Sequence, residues 1–193
     1  LHACATAAGP AFEGGANRGI WGAGMVRLLQ KLLEEGLMDG QGLLKEPYFT
    51  KGVRIGDVLV TKESVRAVQL AKGAIAAGIE ILADSYGIRF SDISKVVLAG
   101  GFGYYLDPKA AVAIGLLPEE LADRTVTGGN TALSGAAMVG SRILTAGGKQ
   151  TAEGTLPDGG DDLRKRQELQ IRILNLAEEE KFPETFLTKI NFN

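Results

Sequence analysis

Three glycine-rich segments hold the residues best suited to ligand chemistry: Gly9–Gly15, Gly100–Gly103 and Gly128–Asn130. Glycine carries no Cβ, so its backbone lets a ligand come closer than any other residue would allow. A helix that begins just after such a segment turns free N–H groups toward an anion. Asn130 opens a helical pattern and meets that second condition. The chemistry this predicts is the holding of a nucleotide. For any one of the three segments alone a plain structural turn is the favoured reading, and their convergence in one α/β chain reverses that in favour of the ligand. Side-chain catalysis has little to work with. His2 and Cys4 are the only histidine and cysteine, too few for a four-ligand zinc site or an iron–sulfur cluster. A Ser-His-Asp triad would have to use His2, so no catalytic residue and no metal ligand is assigned.

The common nucleotide signatures do not account for these loops. No G-x-x-x-x-G-K-[ST] occurs, which excludes a P-loop. Gly101-Phe102-Gly103-Tyr104-Tyr105-Leu106 begins like G-x-G-x-x-G but ends in leucine. Asp123 stands at the distance where a dinucleotide fold places its ribose-binding acid, but Glu119-Glu120-Leu121-Ala122 before it is no strand pattern.

Loops at strand ends need strands and helices to position them, and 193 residues suffice for one domain or two small lobes. Hydrophobic residues make up 45% and aromatics only 6%, so Leu, Ile, Val and Ala must fill the core. A net charge of -2 recommends neither a nucleic-acid backbone nor an anionic membrane as partner. No apolar run approaches the roughly 20 residues that span a bilayer. A single cysteine fits a reducing compartment, and the cytoplasm is the expected location.

Leu1–Thr6 reads as a strand end. Met25–Glu35 carries a helical stripe closed by Gly36, and residues 39–56 read as loop with a short strand or two. Val58–Val60 is another short strand. Thr61 caps a helix from Lys62 to Tyr86 that stops at Gly87, with Val65, Val68, Ala71, Ile75, Ile79 and Leu82 as its apolar stripe. Gly73 and Gly78 each cost that helix about 1 kcal/mol relative to alanine. Such a cost points to close packing against a neighbouring backbone or to ligand contact. Lys95–Ala99 is an unbroken apolar run, expected to be a buried parallel strand ending in a tight turn at Gly100–Gly103. Asp107-Pro108 starts a helix that Gly115 ends. Thr125–Thr127 is a brief strand, and Asn130 caps a small-residue helix from Thr131 to about Leu144. Leu169, Ile171 and Ile173 alternate as in a strand, and Phe182–Phe192 is a terminal helix with an apolar tail docking on the body. This divides the chain into a lobe at 1–146, a loop or linker at 147–164, and a strand and helix at 165–193.

Val96-Val97-Leu98-Ala99-Gly100-Gly101-Phe102-Gly103 resembles the adenosine motif of the ASKHA superfamily of actin, sugar kinases and heat-shock chaperones. Five segments in order are similar to one branch, the reductive activators of corrinoid proteins. They are Thr6–Gly14, Gln69–Ile75, Leu98–Gly103 with Leu106-Asp107-Pro108, Ile114–Pro118 and Gly129–Ala136. Phe182–Phe186 and Ile190–Phe192 resemble that family's C-terminal ending.

The resemblance implies a partial actin-like, RNase H-like lobe with a mixed sheet flanked by helices. It implies that Gly100, Gly101, Phe102 and Gly103 lie on the adenosine side of an ATP cleft. Gly9, Pro10 and the segment to Gly14 would line the same cleft. Glu13 either faces the nucleotide or caps the following helix, and Lys72 either approaches the base or ribose or is solvated. The implied activity couples ATP hydrolysis to reduction of a Co(II) corrinoid to Co(I). ATP with Mg2+ would be the ligand, and an iron–sulfur cluster would sit in an N-terminal domain that these residues do not include. Implied partners are a corrinoid protein and the N-terminal remainder of the same protein, with a homodimer left open. The paired D-x-G-T-like phosphate hairpins of ASKHA enzymes do not occur here, and the chain begins where the second should have ended. The chain alone is therefore expected to hydrolyse ATP poorly. The alternative is a protein-binding lobe that holds nucleotide only structurally.

Overall fold

The computed structural model describes residues 20, 22–55, 58–145 and 173–193. The expected strand at Leu1–Thr6, the linker at 147–164 and residues 169 and 171 of the later strand lie outside them. Ile173 is described and belongs to no strand. Two compact units are present: Leu1–Gly129 with Asn175–Asn193, and Asn130–Leu174.

In the first unit, helix α1 (Gly22–Glu34) leads to a short α2 (Tyr48–Lys51) and an antiparallel hairpin of β1 (Val53–Ile55) and β2 (Val58–Val60). The long α3 (Lys62–Tyr86) follows, then β3 (Val96–Ala99), α4 (Gly100–Tyr105) and α5 (Pro108–Ala113). Strand β4 (Thr125–Gly129) and helix α7 (Phe182–Lys189) complete it. The second unit's described element is α6 (Thr131–Thr145). Helices with small sheets make the fold α/β, as the sequence implies.

Chain punctuation follows the expected residues. Gly36, Gly87 and Gly115 adopt φ of 65°, 74° and 72°, the left-handed region that stops a helix where only glycine is unstrained. Asp107 caps α5 by accepting from the Lys109 backbone N–H at 3.0 Å, with Pro108 at the first helical position. One core gathers Leu28, Leu29 and Leu32 of α1, Val53 and Val60 of the hairpin, and Ile114 after α5.

The buried face of α3 keeps Val65, with Val68 and Ile79 packed against the core, but departs from the rest of the stripe read off its sequence. Ile75 and Leu82 are 49% and 53% exposed, and Ala71 is exposed too. The buried side runs instead through Val65, Gln69, Lys72, Gly73, Ala76 and Ile81. Small residues decide this rotation. A Cβ at Gly73 would stand 3.1 Å from Ile190 Cα and 3.2 Å from the Phe186 ring, so glycine lets α7 and its tail press onto the α3 backbone. Gly73 is thus a packing glycine.

Behind α7, residues 190–193 tie three elements together. The Phe192 N–H donates to Gly40 O at 2.7 Å, Asn193 Nδ2 donates to Val112 O at 3.1 Å, and the Phe192 ring enters the core. Lys72 Nζ donates to Asn191 O and lies 5.3 Å from the centre of the Phe192 ring. Gln69 is buried beside it, donating to Gln41 O at 3.0 Å and accepting from Arg66 at 2.8 Å. A polar pair inside the apolar face is tolerable because both side chains are satisfied.

Burial, with a smaller contribution from repulsion by Lys189, lowers the Lys72 pKa from the usual 10.5 to about 8. Below about pH 8 both folded and unfolded chains hold this proton. Between about 8 and 10.5 the unfolded chain holds it and the folded chain has released it, so this group's contribution makes stability rise with pH there. Replacing Lys72→Met should remove that contribution and leave a flatter slope above pH 8. Urea unfolding of both proteins from pH 7 to 10 checks this, and parallel slopes would refute it.

Gly103 generates a second expectation. Its Cβ would stand 2.9 Å from the Leu98 carbonyl carbon, a backbone atom that cannot swing aside. Gly103→Ala should therefore destabilise the fold by about 1–3 kcal/mol, the usual cost of overpacking. Gly101→Ala, where nothing lies within 4 Å, should cost nothing. Denaturant midpoints of the two variants make the comparison.

Candidate functional site

Strand β3 pairs in parallel with β4, with Val96 opposite Thr125, Val97 opposite Val126 and Leu98 opposite Thr127. The register then shifts, and Ala99 pairs with Gly129. Both strands therefore finish side by side, and two of the three glycine-rich segments meet at one carboxyl end. That is where open α/β sheets bind ligands.

The expectation of a fully buried β3 does not hold. Val97 is 51% exposed and Ala99 is exposed as well, while Leu98 packs against the core. Successive side chains of β3 alternate between a face packed on the core, with Leu98, and an open face with Val97 and Ala99. The uniform apolar run concealed this because valine suits either side of a strand.

Nor do Gly100–Gly103 form a free turn: they are the first residues of α4. Ala99 is extended, Gly100 turns the chain with φ 83°, and the helix follows at once. The four residues divide by role. Gly100 supplies the left-handed conformation that a side chain would strain. At both Gly100 and Gly101 a Cβ would meet nothing within 4 Å among the described residues, so on that side their flanks are open. Phe102 is half exposed, its ring lying 2.9 Å from where a Cβ on Gly22 would stand. Gly103 faces inward against Leu98.

Gly129 also has positive φ, 70°, and sits beside the Tyr104 ring. Sequence reasoning placed Gly129 in a loop and passed over Tyr104. The aromatic position four residues after Gly100 was the available signal. Asn130 caps α6 as expected, its Oδ1 accepting from the Leu133 N–H at 3.1 Å. It belongs to the second unit and is described there alone.

Lys72 is not solvated. Only 2% exposed, it spends its ammonium on the carbonyl of Asn191, which makes it an anchor for the tail. Gly9, Pro10 and Glu13 lie outside the described residues. Among the described residues no group of three or more His, Cys, Asp or Glu is placed to hold a metal ion, and no helix is long and apolar enough to cross a membrane.

Comparison with known proteins agrees with the fold. A family model described as the C-terminal domain of RACo, the ASKHA domain, matches residues 15–143. A corrinoid activation enzyme, RamQ of Eubacterium limosum, is 51% identical over 63 residues, which span 33% of this chain and 11% of that enzyme. The solved structure of a reductive activator for a corrinoid, iron–sulfur protein superposes with a TM-score of 0.70 at 24% identity. That superposition covers 90% of this chain and 28% of the activator, so the likeness shows the fold. The family match spans most of the chain, includes β3, the Gly100–Gly103 segment and β4, and places this chain in the RACo C-terminal ASKHA domain family.

Proposed function

We propose that this chain is the adenosine-binding part of an ATP-dependent reductive activator of corrinoid proteins. The observation that carries the reading is the paired strand end, where Gly100 and Gly101 present open flanks next to Gly129. A Cβ at either position would occupy space that the described residues leave free, as a cradle for a flat ligand requires. Gly100 and Gly101 admit the base and ribose, while Gly103, packed on Leu98, fixes the helix that carries them. Asn130 and the N-terminus of α6, together with Gly9, Pro10 and Glu13, belong to the same assignment by family resemblance.

Magnesium bound with ATP neutralises phosphate oxygens during transfer. The metal and phosphate contacts are assigned to other parts of the protein, of which this chain matches a fraction. ATP hydrolysis there would supply the free energy to shift the corrinoid partner toward a conformation whose cobalt accepts an electron. In that step one electron would pass from a reduced iron–sulfur cluster, held by residues other than these, to Co(II) of the corrinoid partner, giving Co(I).

Gly101→Val in the intact gene product tests the site. Its backbone φ is not positive, so the substitution adds bulk without the strain expected at Gly100. ATP affinity should fall at least roughly tenfold, about 1.4 kcal/mol, with little change in melting temperature. Calorimetric titration with a non-hydrolysable ATP analogue measures it. Unchanged affinity in a well-folded variant would reduce this segment to a structural turn.

A further inference from the structure

Open glycine flanks let a nucleotide approach, but a base held in water also needs a surface to lie on. Tyr104 offers one. Its ring Cδ2 lies 3.9 Å from the position of a Cβ on Gly129, the residue paired with Ala99 at the strand end. The ring is 55% exposed although it stands between two packed elements, β4 and the rest of α4. Tyr105 meets it edge to face, with centroids 4.8 Å apart and planes at 84°, so its setting is defined. Two other half-exposed aromatics, Phe102 and Phe49, have evident packing duties. Phe102 covers Gly22, and Phe49 lies under the Lys62 ammonium at 5.2 Å.

We propose that Tyr104 is the platform on which the nucleotide's base stacks, a role that rests on the nucleotide reading of this strand end. Stacking on an aromatic ring holds any nucleobase, because every base presents a π face. Tyr104 therefore supplies affinity for the base and contributes nothing to the phosphates. Purines, with the larger ring area, gain more from it than pyrimidines.

The test uses the intact gene product with Tyr104→Leu and Tyr104→Phe, titrated calorimetrically with ADP, CDP and inorganic tripolyphosphate. Tyr104→Leu should weaken ADP roughly tenfold, equivalent to about 1.4 kcal/mol, and CDP by less. Tripolyphosphate, which has no base, should bind all variants alike. Tyr104→Phe should keep ADP affinity within about twofold, since the ring remains. Equal losses for ADP and tripolyphosphate would mean that Tyr104 only shapes the fold, and stacking would be wrong. Unchanged ADP affinity in Tyr104→Leu, with Gly101→Val still impaired, would remove the platform and leave the strand-end site standing. ADP binding indifferent to both substitutions would overturn the nucleotide reading itself.

Discussion

Parallel pairing of Val96–Ala99 with Thr125–Gly129 is the constraint on which the site depends. Parallel strands run in one direction, so their carboxyl ends must lie at the same edge. Pairing Ala99 with Gly129 then puts the Gly100 turn next to a second glycine of positive φ. Neither segment achieves this alone. Helix α4 begins without a loop after β3, which keeps Phe102, Gly103 and Tyr104 close to the strands instead of projecting on a flexible arm. A preorganised rim of this kind spares a ligand the cost of ordering it.

The far side of the first unit is closed by a different economy. Helix α3 gives up helical propensity at Gly73 so that the α7 tail can reach its backbone, and the tail then fastens to Gly40, Lys72 and Val112. Gly115 completes that seam. With φ 72° it ends the turn after α5, and a Cβ there would stand 2.9 Å from Asn193 Oδ1 and 3.1 Å from Lys72 Nζ. Burying a lysine is costly unless its donors are used, and the backbone carbonyl with the nearby Phe192 ring provides the use. The polar contacts of the tail thereby position the Phe192 ring, which is buried in the core.

Glycine consequently has three separate reasons in one protein. At Gly36, Gly87 and Gly115 the backbone dihedral requires it. At Gly73 and Gly103 a neighbouring atom requires it, and mutation would be felt in stability. At Gly101 neither applies among the described residues: its φ is not positive and no described atom lies within 4 Å of a Cβ there. The proposed approach of a nucleotide would give Gly101 the reason that folding does not. Stability and binding measurements separate these classes because each moves one observable more than the other.

Local rules made much of this legible in the sequence. The full extent of α3, the Asp107-Pro108 start of α5, the helix-ending glycines and the Asn130 cap each depend on residues within a turn or so of one another. The order of motifs across the chain likewise carried the family. Three features depended on tertiary structure. Which face of α3 is buried was decided by α7 landing on Gly73, far away in sequence, and this exposed Ile75 and Leu82 while enclosing Lys72. The half-exposure of β3 was decided by the core packing on one of its faces, through Leu98, which composition cannot reveal. The separation of Gly100, Gly101 and Gly103 into turn, open flank and packed contact was decided by where Leu98 lies. Propensity and capping are short-range and can be read from letters, whereas burial and close approach are properties of two segments at once and exist only after they meet.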